Sequence, residues 1–251
     1  MKRELSELFA GKYPVLLNEL RIPSSLNVAV LAPHPDDFDA IGVTMRLFKD
    51  NGNRIDVGVV TSAASGVEDG FCQAFTTHAK GIIREKEQVA SLRYFGLPQD
   101  RLSFLRLTEG DDGHPLDNTE NLELVRSFVL AVRPDIMFMP HWNDTNIGHR
   151  RTYAFFSRIA QGEKWSGVAC LIRDPKTITM RDDLYAVFDG ETAAWKGELL
   201  RFHQSQHQRN LNTRGHGFDE RILSVNRFTA ETLAQNAEYA EAFEIEKYDP
   251  S

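Results

Sequence analysis

The sequence predicts an α/β domain whose mainly parallel sheet is flanked by helices. Three observations carry that expectation. Apolar runs of strand length alternate with amphipathic segments of helical length, and polar loops follow the apolar runs. The first strand–helix–strand unit also closes within about thirty residues, the size of a βαβ unit with a right-handed crossover.

Residues 4–20 read as helical, with Leu5, Leu8, Phe9, Leu16, Leu17 and Leu20 forming a loose apolar stripe interrupted near Pro14. Pro23, Ser24 and Ser25 end that segment, so 1–24 reads as a helical N-terminal extension and 25–251 as the main domain. The first strand is 27–32, a helix follows over about 38–51, and Asn51, Gly52 and Asn53 turn the chain into a second strand at 55–60. Residues 61–76 form a small, polar loop at the same sheet edge as the loop after the first strand, where binding groups concentrate. A charged helix over 78–95 ends at Gly96 and Pro98, and a short strand at 102–107 leads into the polar loop 108–114. A helix over 118–132 precedes the strand 136–139. Further strands are expected near 167–172, 177–180 and 184–188, a helix over 191–204, and a loop over 208–225 whose His216 either reaches the site or is exposed. The order of elements is Rossmann-like, and no internal repeat or linker divides it.

The 251 residues, 41% hydrophobic and 26% charged, suffice for one large core that needs no disulfide. Cys72 and Cys170 lie outside any CxxC pattern and read as small core residues. A formal charge of −7 without a long Lys/Arg block argues against general nucleic-acid binding. The N-terminus carries charge every few residues and no run reaches membrane-spanning length, so a cytoplasmic, soluble protein is expected.

Chemistry concentrates in Pro33, His34, Pro35, Asp36 and Asp37, directly after the first strand. Open α/β sheets bind ligands at the carboxyl ends of their strands. His34 and Asp37, three apart around a tight turn, can converge on one cation and leave Asp36 for proton transfer, the minimum for metal-assisted hydrolysis. The plainer reading makes Asp36 or Asp37 a helix cap. More than a hundred residues on, the strand 136–139 runs into a loop that offers His141, Trp142, Asp144, Asn146 and His149. One further imidazole, from His149 or its rival His141, would complete a His₂–carboxylate set with an open position for water. Such a set suits zinc and also other divalent ions.

These residues resemble a known family. Ala32 to Asp37, followed by Ile41, Gly42, Val43 and Thr44, is similar to the signature of the PIG-L/LmbE-like metal-dependent N-deacetylases. The resemblance extends from about residue 27 to 207 through Arg84–Glu87 with Phe95 and Gly96, Asp112 with Gly113, and Lys196 with His203, Gln204, Ser205 and Gln206. It implies an LmbE-like fold and removal of an acetyl group from an N-acetylglucosamine-type compound. It also implies His34, Asp37 and His149 as metal ligands and Asp36 as general base. The family's second motif, roughly D-x-H-x-D-H, falls on Asp144 to His149. Its inner histidine is Asn146 here, and its second acid is Gly148. Asparagine still donates a hydrogen bond to an oxyanion but protonates no amine at neutral pH. Asp36, once protonated, is expected to return the proton to the amine, with His141 the alternative donor; His141 and Asp144 are the candidates to compensate for the missing acid.

Arg84, Asp144 and Trp142 are the candidates for substrate contact. Against these stand the plainer roles of a surface ion-pair partner for Arg84 and a packing residue for Trp142. His78 and His114 read as solvated, while His203 and Gln206 read as buttresses. The alternative function is a degenerate member that holds metal and sugar without turnover. A dinucleotide site is disfavoured by the absence of G-x-G-x-x-G, and a serine hydrolase by the absence of G-x-S-x-G. The expected partner is a small amino-sugar conjugate, and the resemblance further implies homo-oligomers.

Overall fold

The structure, a computed structural model, describes residues 3–9, 11–233 and 237–249. Its strands are β1 (Val15–Leu16), β2 (Asn27–Ala32), β3 (Arg54–Val59), β4 (Leu102–Phe104), β5 (Ile136–Pro140), β6 (Gly167–Ile172), β7 (Leu184–Phe188) and β8 (Tyr239–Tyr248). They form one sheet in the order β1-β7-β8-β6-β5-β2-β3-β4, with every pairing parallel except those made by β8. The helices are α1 (Arg3–Leu8), α2 (Asp37–Ala40), α3 (Gly42–Asp50), α4 (Thr77–Phe95), α5 (Thr119–Val132), α6 (Ile147–Gly162), α7 (Gly190–Arg201), α8 (Gln204–Arg214) and α9 (Phe218–Glu231).

The two faces of the sheet are buried in separate apolar layers. Val28, Val30, Ala32, Val57, Phe138 and Cys170 point into one, while Ala29, Leu31, Met137, Met139, Ala169 and Leu171 point into the other. This is why the central strands read as unbroken apolar runs rather than as alternating ones. From β2 the chain winds outward through β3 and β4, then returns to place β5 on the other side of β2. The loops after β2 and β5 therefore leave the sheet at the point where its winding reverses, and a crevice opens between them.

The sequence and the structure differ in several places. Residues 4–20 are not one helix: α1 ends at Leu8, and Val15–Leu16 pairs with Leu184–Tyr185 as an edge strand. Pro14 lacks the amide hydrogen that would continue a helix, and β-branched Val15 suits a strand. The strand expected at 177–180 is absent, with only an isolated bridge from Asp144 to Thr177. The loop expected over 208–225 is the end of α8 and the start of α9, divided by Gly215 in a left-handed conformation that favours glycine. Finally, β8 occupies the centre of one half of the sheet. Of the two cysteines, Cys170 is buried as expected, but Cys72 is exposed. No helix among the described residues is long and apolar enough to cross a membrane.

One buried ion pair ties β8 to the helices under the crevice. The Lys196 ammonium of α7 donates to Glu241 Oε1 (2.7 Å), Asn226 Oδ1 (2.7 Å) and the Ala40 carbonyl (2.6 Å). Glu241 in turn accepts the backbone amides of Val43 and Thr44 at the start of α3, where a carboxylate complements the helix dipole. Both side chains are essentially inaccessible to water. Removing one member strands the other charge, so Lys196→Ala is expected to lower unfolding free energy by about 3–5 kcal/mol in a denaturant titration.

Candidate metal centre and active site

The turn after β2 is bent by its own backbone. Asp36 sits at φ 124° and ψ −24°, a region that non-glycine residues rarely occupy and that costs on the order of 1–3 kcal/mol. Two residues of α4 hold it there. Gln88 Oε1 accepts the Asp36 amide (3.1 Å), and the buried Arg84 guanidinium donates to Asp36 Oδ2 (3.0 Å) and to the Pro35 carbonyl. The Arg84 Nη1 also lies 3.6 Å from Glu87, whose carboxylate accepts the Ser205 amide and hydroxyl at 2.7 Å each. Three residues beyond Asp36, buried Asp39 accepts from Gln88 and Ser91 and meets His203. The turn is thus gripped from α4 and from the junction of α7 and α8.

His34, Asp37 and His149 bring one donor atom each to within 4.8 Å of one another. Asp37 Oδ2 accepts the His34 amide at 2.8 Å, which turns Oδ1 towards His149 Nε2, 4.0 Å away. Burial alone would raise the Asp37 carboxyl, but the His34 hydrogen bonds and the charges of His34 and His149 hold it far below the usual carboxylate range. His149 lies in the first turn of α6, and its Nδ1 donates to Asp144 Oδ2 at 3.0 Å. That bond leaves Nε2 as the free lone pair, the arrangement by which a carboxylate orients a metal-binding imidazole. Burial works to lower the His149 pKa, but the Asp144 bond and the charges of Asp174, Asp37 and Asp144 outweigh it and raise it.

These groups open onto a polar cleft of about 360 Å³. Of the residues singled out from sequence, His34, Asp36, Asp37, Arg84, Asn146 and His149 line it. His141, Asp144 and Trp142 do not. His141 is buried, with Nδ1 accepting the Asn143 amide (2.9 Å) and Nε2 facing Glu244 (3.2 Å), so neither ring nitrogen is free for a substrate. Trp142 lies against His141 with the rings tilted by 30°, is about half exposed, and is not among the residues lining the cleft. Asp144 is buried and spends both oxygens, one on His149 and one on the Asn146 amide. Arg84, expected to reach for substrate, is instead committed to Asp36 and Pro35. His216 meets its neighbour's carbonyl and does not line the cleft, while His78 is exposed as expected.

Asn146 caps α6: its Oδ1 accepts the Gly148 amide at 2.8 Å, leaving the side-chain NH₂ as its remaining donor. Gly148 creates the space beside it. A Cβ built there would lie 3.2 Å from Asn146 Oδ1 and 3.3 Å from both His114 Nδ1 and His34 Nε2. His114 therefore fills the place that a side chain at 148 would take. Its Nδ1 is buried without a hydrogen-bond partner, and the loop carrying it is tied to α6 by Arg151. Burial lowers the His114 pKa, with the nearby positive charges of His34, Arg151 and Lys176 adding to the effect against Asp112.

The sequence reading missed Asp174 as well as His114. Asp174 follows β6, lines the cleft, and is raised by burial despite the charges of His149 and Lys176. A carboxylate at the end of a strand in this sheet was the signal that could have found it.

A mainly parallel α/β sheet with a His₂–Asp cluster and a neighbouring acid at its winding reversal defines an open α/β fold that carries a candidate cation site at the carboxyl ends of its strands. The PIG-L family, described as GlcNAc-PI de-N-acetylase, matches residues 29–160, and the chain belongs to that family. No curated protein matches the chain by sequence. Among solved structures it is similar to the N,N'-diacetylchitobiose deacetylase of Pyrococcus horikoshii, at 19% identity and a TM-score of 0.72, over 88% of this chain and 84% of that one. It is also similar to GalB, the 4-carboxy-2-hydroxymuconate hydratase of Pseudomonas putida KT2440, at 16% identity and 0.61, over 88% and 96%. A third is the zinc-inhibited form of teicoplanin deacetylase Orf2, at 15% and 0.66, over 90% and 100%. At these identities the likenesses establish the fold.

Two outcomes test the site. In chelator-treated protein, the His149 imidazole followed by NMR is expected to titrate above the ordinary histidine value of about 6.5, and Asp144→Asn to bring it down. Gly148→Asp, which restores the acid of the resembled motif, is expected to lower metal affinity rather than raise activity, because its Cβ presses on His34 and His114. Isothermal titration of the chelated variant with zinc checks the first half, and the amine assay below checks the second.

Proposed function

We propose that the chain is a metal-dependent hydrolase that removes an N-acetyl group from an amino-sugar substrate of the N-acetylglucosamine type. The observation that carries this reading is the His34, Asp37 and His149 set, opening beside Asp36 onto one polar cleft. Membership of the PIG-L family supports it. The donor set fits a divalent cation, since Asp144 fixes His149 with Nε2 outward and the His34 amide fixes Asp37 with Oδ1 outward. We assign zinc to it, with iron or manganese suited to the same donors.

Bound there, the ion would polarise the acetamide carbonyl and acidify a water molecule. Asp36, which lines the cleft with its Oδ2 held by Arg84, accepts the water's proton as the new C–O bond forms. The Asn146 NH₂ donates to the developing oxyanion, because its Oδ1 is already spent on the helix cap. When the C–N bond breaks, Asp36 returns the proton to the leaving amine, and acetate and the free amino sugar result. His141 has no part in these steps, since both its nitrogens are engaged elsewhere.

A second reading is favoured by one specific observation. Position 148 carries no acid and Asn146 carries no titratable group, which suits a member that holds metal and sugar without turnover. Metal analysis of wild type and His149→Ala, paired with a free-amine assay on N-acetylglucosamine conjugates, separates the two. The expected result is stoichiometric metal lost in the variant, amine release by wild type, and a loss of about a hundredfold or more in Asp36→Asn. Metal should be added at no more than one equivalent, given the zinc-inhibited state of the teicoplanin enzyme. Metal without amine supports the second reading. No metal after reconstitution overturns both.

A further inference from the structure

The wall of the cleft formed by the β6–β7 connection, α8 and α9 carries three cations: Lys176, Arg209 and Arg221. None of their side chains makes an ion pair or hydrogen bond with any described residue. That is unexpected in a chain with 36 acidic and 29 basic residues, where carboxylates are in surplus. Elsewhere on the molecule many arginines find them, although Arg93, Arg133 and Arg214 do not. Arg106 grips Glu85, Arg126 grips Glu163, Arg158 grips Asp117, and Arg201 grips Asp219.

Arg221 is only partly exposed and is lowered by burial, with the like charges of Arg214 and Arg209 adding to the cost. Asp174 and Asp36 attract it from across the cleft without reaching ion-pair distance. Holding like charges together at a half-buried wall is unfavourable unless something of opposite sign completes it. The neighbours suit a polar ligand. The Gln206 amide and the Arg209 guanidinium meet across Gly66, where a Cβ would come within 3.2 Å and 3.3 Å of them, so residue 66 leaves the wall clear.

We propose that Lys176, Arg209 and Arg221 form a subsite for a terminal anionic group, a carboxylate or a phosphomonoester, on the substrate whose amide faces His34, Asp37 and His149. The assignment rests on the hydrolase reading for the amide end alone, because the anion end stands on its own unpaired cations. Guanidinium forks bind both anions in bidentate fashion, so the shared chemistry is a localised negative charge with coplanar acceptor oxygens. The substrate is accordingly an acidic amino-sugar conjugate, and a neutral disaccharide leaves the three cations uncompensated.

The test is equilibrium binding to the metal-loaded full chain, with Asp36→Asn used to prevent turnover. Three probes are compared: N-acetylglucosamine 6-phosphate, N-acetylmuramic acid with its carboxylate, and the neutral methyl N-acetylglucosaminide. Tighter binding of either acidic probe by about tenfold or more is expected, falling as salt is raised. Placing Arg209→Gln or Arg221→Gln in that background should remove the preference, whereas Arg221→Lys should keep part of it. The exposed Arg209 guards against a folding artefact, since its truncation disturbs no buried contact. Which acidic probe prevails tells phosphate from carboxylate. Equal binding of acidic and neutral probes, or a preference that survives both glutamine variants, overturns the subsite. Absence of amine release by metal-loaded wild type from every conjugate, with the charge preference intact in the Asp36→Asn background, would instead sink the deacetylase reading and leave the subsite standing.

Discussion

The site depends on the grip of Arg84 on the turn after β2. A carboxylate can stand beside His34 and Asp37 only because Asp36 adopts a backbone conformation that most residues avoid. That conformation is unfavourable by itself, and it persists because a buried guanidinium and a glutamine from α4 hold the Pro35 carbonyl and the Asp36 amide and side chain together. The same bonds that offset the strain also aim the carboxylate. Positioning and stability at this turn are therefore one physical fact.

Behind the turn lies a second tier of buried polar groups. Glu87 receives Ser205, Asp39 receives Gln88, Ser91 and His203, and Lys196 joins Glu241 to the start of α3. Such networks are poor sources of net stability compared with apolar packing, but a half-made one is costly, so they admit few alternative arrangements. Through Asp39 and the Ala40 carbonyl they are bonded to α2, directly after the turn that carries His34, Asp36 and Asp37.

Catalytic equipment on this sheet is exchanged at the loop ends while the frame stays constant. Deacetylases and a hydratase share the frame with this chain. Here the exchange is visible at two positions of one motif, 146 and 148. Asn146 has become a helix cap that retains one donor, and Gly148 has made room for a histidine from a different loop. The cleft is consequently lined from more of the sheet edge than one motif suggests, with His114 and Asp174 entering from the connections after β4 and β6.

The central strands, the crossovers and the His34, Asp36, Asp37 and His149 positions were legible in the sequence. They rest on local rules: unbroken apolar runs for strands buried on both faces, and polar clusters at the strand ends. The late elements were not legible for a converse reason. Tyr239 to Tyr248, with its alternating alanines and glutamates, has little strand propensity of its own, and it becomes a strand because β6 and β7 flank it and Lys196 and Arg181 meet its carboxylates. Nor could spacing tell which neighbours of the site were free. Asp144, His141 and Arg84 looked available as sequence, yet each is consumed by a partner between 5 and 103 residues away. By itself the sequence determined which residue types could perform the chemistry and at which end of the sheet. Only the tertiary structure decided which of them keep a free lone pair or donor, because hydrogen-bond capacity is finite and distant segments claim it first.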